Sequence, residues 1–153
     1  MTSYLIDVNV WLAITWELHP QHRSAQRWYR GLSPDADEEE LLFCRFTMLG
    51  FLRMLTNSAV MGDSTKNLGQ AFEIYDIWTR DERVGMAGEP REVEILLREA
   101  AGPYMKQPAT KMITDCYLAG FAEAIGAKLV TFDKGLAHMA RIRKSGVVLL
   151  AAD

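Results

Sequence analysis

Apolar positions along the chain recur with two periods. Short runs at residues 4–8, 41–44, 128–132 and 147–150 are nearly continuous and read as buried strands, and residues 83–86 form a briefer one. Longer stretches carry apolar residues three or four positions apart. Val10, Trp11, Ile14 and Leu18 mark a helix over 10–18 that His19-Pro20 stops, and residues 21–32 read as a second helix. Phe46, Leu49, Leu52 and Leu55 mark another over 46–60, with Asn57 and Gly62 as places to end it. Residues 68–78 and 91–101 repeat the pattern. Tyr117, Leu118, Phe121, Ala122 and Ile125 form a stripe that opens at Thr114-Asp115 and ends at Gly126. Ser33-Pro34 with the acidic run 35–40, and residues 102–111 with Pro103 and Pro108, read as loops.

Strands alternating with helices through short connections predict an α/β architecture, a central mostly parallel sheet flanked by helices on both faces. Ligands of such sheets bind beyond the C-terminal ends of the strands, near the point where strand order reverses. Asp7 and Asp133 fall at the C-terminal ends of predicted strands, and Asp115 opens a helix that can begin at the same edge. Carboxylates far apart in sequence are thereby candidates for one crevice.

Composition narrows the class without choosing a function. The chain has 153 residues, 49% hydrophobic and 24% charged, and is expected to form a single soluble domain over 1–153. Its first apolar run is too short to span a bilayer and lacks the basic start of a secretory signal, so a cytoplasmic protein with no membrane association is expected. Cys44 and Cys116 form no C-x-x-C pair and read as reduced core thiols. A net charge of -3 argues against coating nucleic acid through a global positive field. Local grips remain open, since Arg23, Arg27 and Arg30 share one helix, Arg45 and Arg53 another, and Arg141, Arg143 and Lys144 cluster near the end. Each group also reads as a solvated face.

Three carboxylates brought together repel, and a divalent cation relieves that repulsion. Oxygen ligands without nearby His or Cys suit Mg²⁺, with Mn²⁺ as a substitute, and a bound water can then attack a phosphodiester. Each acid has a plainer reading. Asp7 can cap the helix that follows it, Thr114-Asp115 can open the next with an acid suited to its dipole, and Asp133 can form a turn before Lys134-Gly135. An aspartate-nucleophile phosphatase also places Asp at the end of its first strand, but needs a general acid two residues on, where this chain has Asn9.

The stretches "YLIDVNVWLAI", "HPQHRSAQRWY", "FCRFTMLGFLRMLTN", "TDCYLAGFAEAIGAKLVTFDKGL" and "VVLL" resemble, in order and over nearly the whole chain, the PIN domain, and within it the VapC-type toxin ribonucleases of toxin–antitoxin pairs. The resemblance implies a PIN-like three-layer sandwich and Mg²⁺-dependent endonucleolytic cleavage of RNA, often structured RNA such as tRNA. It also implies silencing by a cognate antitoxin, and a homodimer. By position, Asp7 and Asp115 would be the principal metal ligands and Asp133 would complete the cluster, all three in catalytic roles. Asn9 and Thr131 would orient a ligand or water, though Thr131 also suits a strand. His22 matches a family position but reads as a cap or packing residue beside Pro20. The chain departs from the family in one respect, since residues 44–62 contain no Asp or Glu. A second metal is therefore in doubt, and Arg45 or Arg53 could contact the scissile phosphate or neutralise the acids instead. A PIN fold that holds RNA or a protein partner without cutting stays open as an alternative.

Overall fold

Strand geometry sends successive side chains to opposite faces, and the short apolar runs use both. The computed structural model describes residues 1–152. β1 (Thr2–Ile6) leads into α1 (Val8–Thr15) and α2 (His22–Arg30). β2 (Glu39–Cys44) is followed by α3 (Arg45–Leu55), α4 (Ser58–Met61) and α5 (Leu68–Thr79). β3 (Val84–Ala87), α6 (Val93–Ala101) and α7 (Thr110–Ile125) come next, then β4 (Lys128–Thr131), α8 (Lys134–Ile142) and β5 (Val147–Leu149). Tyr4, Ile6, Leu41, Phe43 and Val130 face one apolar layer, built with α1, α2, α3 and α5. Leu5, Leu42, Cys44 and Leu129 face the other, built with α6, α7 and α8.

The strands form one five-stranded sheet in the order β3-β2-β1-β4-β5, with every neighbouring pair parallel. Leu5 stands opposite Leu42 on one side and Leu129 on the other. Connections from β1 run outward through β2 to β3, whereas β4 and β5 lie on the other side of β1. The order thus reverses between β1 and β4, and the C-terminal ends of those two strands flank the crevice that such a reversal opens.

Close helix packing on one face depends on a small residue. A Cβ placed on Gly120 of α7 would lie 2.9 Å from the Leu97 backbone nitrogen and 3.1 Å from the Leu96 carbonyl carbon of α6, so the two helices touch there backbone to backbone.

The structure shifts several predicted boundaries for identifiable reasons. β1 ends at Ile6 and α1 begins at Val8, because the Asp7 carboxylate accepts the Val8 N–H at 2.8 Å and starts the helix earlier than the apolar spacing suggests. Glu39 and Glu40, expected in a loop, belong to β2 and pair in register with Thr2 and Ser3. The helix expected over 46–60 is broken after Leu55, and Asn57 caps the short α4 by accepting the Ala59 N–H. α7 begins at Thr110, so Asp115 lies inside that helix, and the capping role considered for Thr114-Asp115 does not arise. Cys44 and Cys116 are buried free thiols, as expected. Among the described residues no helix is long and apolar enough to cross a membrane.

Candidate active site

Asp7 leaves the end of β1 as the N-cap of α1, and Asp133 follows β4 as the N-cap of α8. The capping reading of Asp7 is therefore correct, whereas Asp133, read as a turn former before Lys134-Gly135, caps a helix instead, and capping brings both to the reversal point. Asp133 Oδ1 accepts the Gly135 and Leu136 N–H groups at 2.8 and 3.1 Å. Thr131, fully buried at the end of β4, links the pair. Its hydroxyl donates to Asp7 Oδ2 at 2.8 Å and accepts the Asp133 N–H at 3.0 Å. Thr131 thus ends its strand with a hydroxyl that holds the Asp7 carboxylate.

Asp115 approaches from α7. With Asp7, Asn9, Thr114 and Leu118 it lines a cleft of about 420 Å³ whose far wall is Phe46, Leu49, Gly50, Arg53 and Met54 of α3. α3 comes close because Gly50 has no side chain, and a Cβ there would sit 2.6 Å from Val8 Cγ2. That wall contains no carboxylate. Arg53 faces the cleft, whereas Arg45 lines a separate hollow with Glu89 and Tyr117 and donates to Met48 Sδ at 3.2 Å. The two arginines considered together in the sequence therefore occupy different places.

Electrostatics couples the three acids. Burial pushes the Asp115 carboxyl up to about 6, with the Asp133 and Asp7 charges adding to the rise and Lys111 opposing it. Burial also raises Asp7, against the Thr131 hydroxyl and the Val8 N–H, which favour its ionised form. Asp133 goes the other way. Burial alone would raise it, but the Leu136 N–H, the Lys111 ammonium and the Gly135 N–H together hold it below the ordinary carboxylate range. Lys111 Nζ stands 3.0 Å from Asp133 Oδ2. Sequence reading missed this lysine by assigning it to a loop, although its i, i+4 spacing from Asp115 is the signal that a helix starting at Thr110 would have given.

The donor set bears on a divalent cation. Among the described residues Asp115 has no hydrogen-bond or ion-pair partner and faces two like charges, while the Lys111 ammonium is paired with Asp133, so three acids share less positive charge than they carry negative. Each Asp7 oxygen accepts one hydrogen bond and keeps lone pairs, whereas both Asp133 oxygens are engaged by backbone N–H groups and Lys111. Among the described residues no three His, Cys, Asp or Glu side chains are placed to hold one metal ion together, so Asp7, Asp115 and Asp133 do not form the three-ligand set expected from the resemblance. This chemistry fits a hard cation bound by one or two carboxylates and otherwise by water, as Mg²⁺ commonly is.

The other basic groups have separate uses. Arg23, Arg27 and Arg30 line a groove of about 580 Å³ along α2 with His22, Gln26 and Gly31. His22 packs within the fold, its Nδ1 2.6 Å from the Ala13 carbonyl oxygen. Arg143 ties α8 to Glu123 and Glu99 on the neighbouring helices.

An all-parallel sheet with acids gathered at its reversal point defines the class, and the PIN domain model matches residues 4–142. The chain belongs to the PIN domain family. It is 35% identical over 133 residues to ribonuclease VapC41 of Mycobacterium tuberculosis, covering 84% of this chain and 88% of that protein. Ribonuclease VapC39 of the same organism is 32% identical over 136 residues, covering 89% and 92%. The fold matches solved structures of VapBC2 from Rickettsia felis bound to a DNA fragment from their promoter, with a TM-score of 0.67 at 15% identity, covering 97% of this chain and 99% of that one. It also matches VapBC-1 from nontypeable Haemophilus influenzae, with a TM-score of 0.64 at 17% identity, covering 97% and 98%.

Proposed function

We propose that this chain is an endoribonuclease that hydrolyses RNA phosphodiester bonds with Mg²⁺, or Mn²⁺ in its place, and acts as the toxin of a toxin–antitoxin pair. The observation that carries the reading is Asp115, a half-buried carboxylate with no hydrogen-bond or ion-pair partner among the described residues, coupled to the charges of Asp7 and Asp133, in a chain whose relatives are named ribonucleases. Asp7 and Asp115 would hold the cation, and Asp133 would add charge while its own oxygens stay engaged. A bound divalent cation supplies positive charge for the phosphate and a water of lowered pKa. The protein groups do the rest. Thr131 holds the Asp7 carboxylate by its hydroxyl, Asn9 offers an amide at the mouth of the cleft, and Arg53 offers a guanidinium to the phosphate from the opposite wall. Structured RNA such as tRNA is the substrate class we assign, in a cytoplasmic setting, with a co-encoded antitoxin as protein partner and a homodimer as the assembly.

Purified protein is expected to cleave RNA with Mg²⁺ or Mn²⁺ and to stop on chelation, and Asp7→Asn and Asp115→Asn should each abolish cleavage. Undiminished cleavage by both variants would refute the assignment. A second reading, a PIN fold that binds RNA without cutting, is favoured by the absence of any carboxylate on the α3 wall. It predicts no Mn²⁺ heat in calorimetry and intact RNA after long incubation. Asn9, which cannot donate a carboxyl proton, leaves the phosphatase reading without its general acid.

A further inference from the structure

Lys111 occupies a position that helix energetics alone would not favour. It lies in the first turn of α7, where the helix dipole is positive and an acidic residue is the stabilising choice. Its side chain is 80% exposed, yet it turns toward the acids and places Nζ 3.0 Å from Asp133 Oδ2. The same ammonium acts on Asp115 and Asp7 as well as on Asp133. Among the described residues no other cationic side chain is ion-paired to these carboxylates. We propose that Lys111 is a built-in counterion of the acidic cleft, which keeps the carboxylates together in the free protein and competes with the divalent cation for their field. The competition rests on the metal reading given above.

The consequence is a cation affinity below what the carboxylates alone would give. Calorimetric titration of the full chain with MnCl₂, without RNA, tests it on the wild type, Lys111→Met and Lys111→Arg. Lys111→Met is expected to bind Mn²⁺ roughly two- to fivefold tighter, since an exposed pair is worth little more than that, and Lys111→Arg to stay near the wild type. The gain should shrink between about 50 and about 500 mM NaCl, because salt screens exposed charges. Equal or weaker binding by Lys111→Met overturns the competition. A second measurement needs no metal. In EDTA, Lys111→Met should lower Tm in the wild-type background but not on top of Asp133→Asn, which keeps the capping oxygen and removes the charge. Additive losses in that cycle overturn the counterion role. Absence of Mn²⁺ binding in every variant overturns the metal reading and the competition with it, an outcome distinct from binding that Lys111→Met fails to strengthen.

Discussion

Thr131 joins two carboxylates through one buried hydroxyl, donating to Asp7 and accepting from the Asp133 backbone. Thr131→Val keeps the branched shape that the strand wants and leaves Asp7 Oδ2 without its donor. Burial already pushes the Asp7 carboxyl up, and loss of the hydroxyl pushes it further. The variant should therefore bind Mn²⁺ about 10- to 100-fold more weakly and cleave RNA correspondingly less, at a stability cost of about 1 kcal/mol. Thr131→Ser, which restores the hydroxyl, should recover both, and calorimetry alongside a gel assay would read the difference. Asp7 and Asp133 were legible in the sequence because each interrupts or ends an apolar run. The Thr131 bridge was not, since a threonine in a strand looks the same whether or not a carboxylate waits 124 residues earlier in the chain.

At the level of elements, two glycines set how closely helices approach, with different consequences. Gly120 brings α7 against the α6 backbone at Leu96 and Leu97, whereas Gly50 brings α3 against Val8, whose N–H bonds the Asp7 carboxylate. Gly120→Ala and Gly50→Ala should each destabilise the fold by roughly 1–3 kcal/mol, the usual cost of overpacking. Only Gly50→Ala should also weaken cation binding and cleavage, and urea titrations paired with calorimetry separate the two. Most helices were legible from their period, and boundaries failed where the deciding contact is distant or mixed in signal. Pro108 disfavours helix at the residue before it and leaves Thr110 free to start α7, so a loop reading that ran through Lys111 hid both the helix start and the lysine. Glu39 and Glu40 look like loop residues by composition and become strand through register with Thr2 and Ser3.

Across the whole molecule, the two ends of the sheet differ in how their acids are partnered. The C-terminal end gathers acids short of positive charge, while just before β3, at the N-terminal end, Asp81 is fully satisfied. Arg83 donates to both of its oxygens at 3.0 and 2.7 Å, Tyr29 of α2 donates to it at 3.1 Å, and Arg83 also reaches the Ser33 carbonyl. Hydrogen bonding from Arg83 is the largest influence and brings the Asp81 carboxyl down to about 2. A folded pKa below the unfolded one means that the unfolded chain takes up the proton first as pH falls. The stability this group contributes is therefore fully present above about pH 4 and is lost as pH falls toward 2. Solvent screening limits its size to about 1 kcal/mol. Asp81→Asn should consequently be less stable than the wild type at pH 6, and the gap should narrow by roughly two thirds of that amount at pH near 2.5. Other carboxylates titrate over the same range in both proteins and cancel in the difference between their urea midpoints. Because the network lies at the far end of the sheet from Asp7 and Asp115, Mn²⁺ affinity at neutral pH should be unchanged in Asp81→Asn. A drop in that affinity would mean that the two ends of the sheet are coupled rather than independent.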